Sequence, residues 1–205
     1  MAVLGVSAVT AAAALALNWT ATNGKYPTTV TGGQAEQFEF KMGPRVVTCS
    51  IGSFEAKLEE KSFVLTTTPK FEKCKADGGL GATFKWNGCD FGLTAPVLAQ
   101  GALIISCPIN AELEVNIYSS ESAEGEGKMP VCRFKFAAQT PREVIVWTNE
   151  GVGNASQVKG EFAVKPKYTT AGSEEICGEA GTAEFLGQSI FKGKFGEVAE
   201  GVDVG

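Results

Sequence analysis

Any chemistry this chain performs has to be read from its acids, its cysteines and one short motif. Residues 85–96 read KWNGCDFGLTAP, and Asp90-Phe91-Gly92 spells the tripeptide whose Asp holds magnesium in protein kinases. That chemistry also needs a glycine-rich phosphate loop, a strand lysine and a His-Arg-Asp catalytic loop. The 205 residues contain no histidine, and no G-x-G-x-x-G precedes the motif. The GGLG at 78–81 is not followed by the Gly-Lys-Ser/Thr of a P-loop. Phosphoryl transfer of the kinase type is therefore excluded. Asn87-Gly88 tolerates the positive φ that a type I′ turn requires at both central positions. The stretch then predicts a two-residue hairpin flanked by Trp86 and Cys89, with Cys89 and Phe91 on one face and Asp90 turned outward.

The missing histidine also removes Ser-His and Cys-His nucleophile activation and every His-containing zinc site. Paired carboxylates remain, because general acid–base work by Asp and Glu needs no imidazole. The candidates for a carboxylate-based glycosidase are Glu59/Glu60, Glu112/Glu114 and Glu174/Glu175, with Asp77 and Asp90 as single acids. Separation in space decides such a mechanism, so the sequence singles out no pair. Adjacent acids on a chain of net charge −5 read first as solvated surface. No catalytic, metal or cofactor residue is assigned, and the expectation is a protein that is not an enzyme. The aromatics Trp19, Tyr26, Trp86, Tyr118, Trp147 and Tyr168 could stack on sugar rings or pack in a core. Trp147 shares a strand face with Ile145 and reads as core. Trp86, beside the turn, is the candidate ligand contact. Asn18-Trp-Thr and Asn154-Ala-Ser are glycosylation sequons whose bland reading, an ordinary loop asparagine, suffices at Asn154.

Six cysteines, Cys49, Cys74, Cys89, Cys107, Cys132 and Cys177, form no C-x-x-C pair. Without that spacing and without histidine, they read as three disulfides and an oxidising compartment. Six cysteines allow fifteen connectivities. The favoured set is Cys49–Cys74, Cys89–Cys107 and Cys132–Cys177, the middle pair resting most firmly on neighbouring strand segments. The apolar run AVLGVSAVTAAAALAL at 2–17 suits a signal-peptide core, although no basic residue precedes it, or else a retained apolar segment. The acidic balance lacks the basic footprint of a nucleic-acid binder.

The elements that would position these residues are short and β-patterned. EQFEFK, RVVTCSI, SFVLTTT, ALIISC, AELEVNIYS, VCRFKFA, EVIVWTN, VKGEFAVK and SIFKGKF alternate apolar and polar residues among 25 glycines and 8 prolines. VCRFKFA sets Cys132, Phe134 and Phe136 on one face and Arg133 and Lys135 on the other. This pattern predicts an all-β fold, an antiparallel sandwich or barrel stabilised by disulfides. The chain divides into an apolar signal-like or retained segment at 1–17, a polar linker or arm at 18–35, and a single β domain at 36–205. Residues 119–130 and 169–181 read as loops.

The cysteine contexts VVTCSIGSF, FEKCKADG, NGCDF, IISCP and VCRF, with a late single cysteine, resemble those of predicted secreted actinobacterial six-cysteine β-domain proteins. The resemblance covers residues 45–140 best and implies secretion and a disulfide-stapled β fold. It implies no site. The sequence thus leads to a secreted or cell-surface structural protein that assembles with itself, through addition of the apolar N-terminal segment to a neighbour's sheet. An extracellular carbohydrate-binding module using Trp86 is the alternative.

Overall fold

The computed structural model describes residues 17–95, 100–120, 129–141 and 144–204. In chain order the strands are β1 (Trp19–Ala21), β2 (Thr28–Met42), β3 (Arg45–Leu58), β4 (Val64–Thr67), β5 (Lys70–Ala76), β6 (Leu80–Lys85), β7 (Asp90–Thr94), β8 (Gln100–Ser106) and β9 (Leu113–Ile117). They continue with β10 (Cys132–Phe136), β11 (Val144–Glu150), β12 (Gln157–Val164), β13 (Lys167–Gly172), β14 (Gly181–Thr182), β15 (Glu184–Phe195), β16 (Val198–Glu200) and β17 (Val202–Val204). One α-helical turn, α1 (Glu174–Cys177), precedes β14. The fold is all-β and antiparallel, with three disulfides, as the alternation and the cysteine count predict.

The main sheet runs β14-β13-β10-β9-β6-β5-β3-β2-β15-β12-β11-β8-β7-β4, and β16 pairs beside β15. Its middle is built from the three longest strands, β2, β3 and β15, of 15, 14 and 12 residues. Both ends of the path curl back towards these strands. At one end β14 is separated from β15 by Ala183 alone, whose N–H bonds the Pro166 carbonyl. At the other, β4 returns beside β3, where the Thr67 hydroxyl donates to the Glu55 carbonyl (2.8 Å) and accepts from its N–H (3.1 Å). Among the described residues β3 and β4 share no backbone ladder, so this side chain spans a seam in the curl.

Large aromatic side chains fill the interior. Phe38, fully buried, meets Phe54, Phe71, Phe162 and Phe185 with ring centroids 5.4–5.9 Å apart. That crowding requires glycine opposite it. A Cβ on Gly52 would lie 2.4 Å from the Phe38 ring, and one on Gly187 2.2 Å from it. Trp19 and Trp147 meet edge to face at 4.9 Å and donate their indole N–H groups to the successive carbonyls of Leu93 and Thr94, both at 2.9 Å. Buried indoles find partners because an unpaired N–H in an apolar core costs about 1–3 kcal/mol.

Residues 18–35 depart from the expected linker. Trp19 has no exposed surface, Val30 is 1% exposed, and β2 begins at Thr28. Burial alternates along Thr28-Thr29-Val30-Thr31-Gly32-Gly33 so that Thr28, Val30 and Gly32 point inward, and Gly32 leaves room for the Phe191 ring. A polar composition therefore hid a strand whose inward positions are small. β1 in turn pairs with β17, Trp19 opposite Val204. Two further expectations shift. Residues 169–172, read as loop, belong to β13, and of the loop at 119–130 residues 121–128 lie outside the described residues. The apolar run likewise lies outside them up to residue 16.

Candidate functional site

The disulfides are Cys49–Cys74, Cys89–Cys107 and Cys132–Cys177, the connectivity favoured from sequence. Cys49 and Cys74 face one another in the β3–β5 register. Cys132–Cys177 ties β10 to α1. Cys89–Cys107 joins the entry of β7 to the exit of β8, next to the Asp-Phe-Gly stretch.

That stretch forms half of what its letters promise. Asn87 and Gly88 have φ of 51° and 80°, and the Cys89 N–H bonds the Trp86 carbonyl at 2.8 Å, so the tight turn forms. The hairpin does not. β6 pairs with β5 and β9, whereas β7 pairs with β4 and β8, so the chain crosses at this turn from one half of the curled sheet to the other. Local turn chemistry fixes the reversal. The choice of partner strands is made by the aromatic packing and by Cys89–Cys107. Cys89 and Phe91 are buried, and Asp90, half-buried, accepts a hydrogen bond from the Thr68 hydroxyl. Asn87 donates to the Glu112 carbonyl at 2.9 Å, bracing the turn against the loop that follows Cys107.

Trp86 is half-buried. One face stacks with Phe84 (6.4 Å, 21°) and its ring meets Phe91 edge to face at 5.1 Å. It is thus the outer member of the aromatic core rather than a free platform. Trp147 is core, 5% exposed, and so is Trp19.

The candidate acids are distributed rather than paired for catalysis. Glu59 sits with Lys57 (2.6 Å) at the exposed tip between β3 and β4. Glu174 and Glu175 occupy the first turn of α1, where backbone N–H groups favour negative charge. Asp77 accepts from the Val46 N–H (3.1 Å) and from Arg45 (3.4 Å). Glu112 and Glu114 lie on the outer face of the sheet and meet Lys135 (3.3 Å) and Arg133 (3.6 Å) on β10. Sequence reasoning passed over Glu200, which is 1% exposed and accepts from the Asn23 backbone N–H at 2.7 Å and its side-chain amide at 3.3 Å. Nearby Asp203 accepts from Thr22 (3.2 Å) and from the Ser156 hydroxyl. These two acids lash the β1–β2 loop to the C-terminal strands. Nothing in GEVAEGVDVG marks them out locally. Among the described residues no group of three or more Cys, Asp and Glu side chains is placed to hold a metal ion.

An open depression of about 520 Å³ lies over β10, β13 and β14. Its walls carry Glu112, Lys135, Lys167, Thr169 and Thr182, and small residues, Ala137, Ala138, Ala180 and Gly181, leave it open. The Gln139 side chain fixes one wall like a strand edge. It accepts from the Lys167 N–H (2.7 Å) and donates to the Lys167 carbonyl (2.8 Å). Below it Tyr168 is 5% exposed, and burial raises its phenol pKa above the ordinary value. No local pattern foretells this trough, because β10 and β13 pair across more than thirty intervening residues.

Comparison with family models, with curated proteins and with solved structures yields no match.

Proposed function

We propose that the chain is a non-enzymatic protein of the cell exterior, secreted or held in the cell envelope, with a structural and self-assembling role. The observation that carries this reading is the seam between β3 and β4. Two strand edges face each other there, bridged at Glu55 by the Thr67 side chain and by no backbone ladder among the described residues. Trp19 exchanges backbone hydrogen bonds with Ser62 in the turn that joins those strands, at 2.7 and 3.1 Å. The chain therefore enters the fold beside the seam. In this reading the apolar residues 2–17 of one copy add to the open edge of the next, main-chain hydrogen bonds giving the affinity. The three disulfides, each worth about 2–4 kcal/mol, agree with an oxidising environment.

Electron microscopy of the purified, non-reduced protein tests the assembly. Filaments or oligomers that vanish on deletion of residues 1–16 support it. Assembly unchanged by the deletion overturns it, as does a secreted mature protein that starts after residue 17 and still assembles. A second reading, carbohydrate binding, is favoured by the trough over β10, β13 and β14 rather than by Trp86. If Trp86→Ala lowers binding on a glycan array while trough substitutions do not, the site returns to the turn.

A further inference from the structure

The outer face around the trough is more positive than the chain that carries it. Strand register places Lys85 opposite Glu114, Glu114 opposite Lys135, and Lys135 opposite Thr169, so these four side chains form one row across β6, β9, β10 and β13. Directly opposed residues share a sheet face, as do residues two apart on one strand. Arg133 and Lys167 therefore belong to this face too. Lys85, Arg133, Lys135 and Lys167 stand here against Glu112 and Glu114, a local excess of positive charge on a chain of net charge −5. The acids are already engaged. Arg133 holds Glu114 and also donates to Asn116, which is 4% exposed, at 3.1 Å. Lys135 holds Glu112 on one side of the trough. Lys167, exposed on the opposite wall, has its backbone clamped by Gln139 and its strand fixed near Cys132–Cys177.

Two ammonium groups thus flank an open trough rimmed by the hydroxyls of Thr169 and Thr182. Cations recognise carboxylates and hydroxyls recognise sugar oxygens, and the rigid backbone lowers the ordering cost of binding. We infer that this trough binds an acidic polysaccharide, a chain of sugars bearing carboxylates, with Lys135 and Lys167 on the carboxylates and Thr169 and Thr182 on the hydroxyls. The inference rests on the carbohydrate-binding reading and narrows it to a substrate class. Glu112 opposes the ligand by its own charge and by engaging Lys135.

The test uses the full, disulfide-bonded chain, with polygalacturonate as the acidic probe, dextran as the neutral one and double-stranded DNA as a non-sugar polyanion, read by affinity electrophoresis. Retention by polygalacturonate that weakens about tenfold in K135E/K167E, weakens with added salt and strengthens in E112Q supports the proposal. Because charge reversal beside Glu114 could disturb folding, K167Q alone, at an exposed position, must also weaken retention, with near-ultraviolet circular dichroism unchanged. Equal retention of wild type and K167Q overturns the site. Retention by dextran but not by polygalacturonate overturns the acidic class and leaves carbohydrate binding standing. No retention by either glycan overturns both. DNA retained more tightly than polygalacturonate, with the same sensitivity to K167Q, overturns the polysaccharide as occupant.

Discussion

At the scale of single residues, the two buried indoles have a measurable role. Trp19→Phe keeps most of the packed area but removes the indole hydrogen bond to the Leu93 carbonyl, which stays in the β4–β7 ladder. A loss of about 0.5–1.5 kcal/mol follows, whereas Trp19→Ala loses about 3–5 kcal/mol. Urea denaturation of both variants checks this, and equal losses would mean that the hydrogen bond contributes nothing. Gly101→Ala is the complementary probe, since its Cβ would lie 2.2 Å from the Trp147 indole nitrogen. Overpacking of that kind costs about 1–3 kcal/mol. Tyr168 supplies a pH dependence. Burial favours its neutral form, so its contribution to stability is complete below the unfolded phenol value near ~10 and is lost as pH rises through the raised folded value. Thermal midpoints between about pH 9 and 11 should fall less steeply in Tyr168→Phe than in wild type.

At the scale of elements, polar side chains complete strand edges where backbone partners are missing. Asn149 accepts from the Val204 N–H (3.0 Å) and donates to its carbonyl (2.9 Å), sealing the far edge of β17. Gln139 does the same for β13, and Thr67 for β3. Asn149→Leu should therefore leave the core intact yet speed hydrogen exchange at the Val204 amide by at least about tenfold, the equivalent of one lost hydrogen bond. Unchanged exchange would show that the edge is held by β1 alone. None of this was legible in the sequence, because an edge-capping amide looks like any exposed polar residue until the neighbouring strand is known. The strands themselves were legible wherever large apolar residues alternate, as in β9, β10 and β11. β1, only three residues long with Trp19 and Ala21 inward, and the start of β2, where Thr28, Val30 and Gly32 face in, were not, since neither shows a run of alternating large apolar residues.

At the scale of the whole molecule, the disulfides connect elements that the sheet already brings together. The sequence favoured this set among fifteen, resting mainly on Cys89–Cys107 between the neighbouring strands β7 and β8; Cys49–Cys74 falls in the β3–β5 register, and Cys132–Cys177 reaches α1, which follows β13. The trough, in contrast, depends on pairing between β10 and β13, which no local pattern encodes. Replacing Cys89 and Cys107 together by serine should lower stability by about 2–5 kcal/mol and loosen the turn at Asn87-Gly88. Loss of the Asn87–Glu112 contact, seen as a shifted Asn87 side-chain amide resonance, should accompany it.

The pairing of Trp19–Ala21 with Val202–Val204 also has a bearing on biosynthesis. Strand β1 is synthesised long before its partner β17 and can pair with it only once that partner has been made. Closure of the β1–β17 ladder, and with it the seating of Trp19 opposite Val204, is therefore a late step that follows synthesis of residue 204.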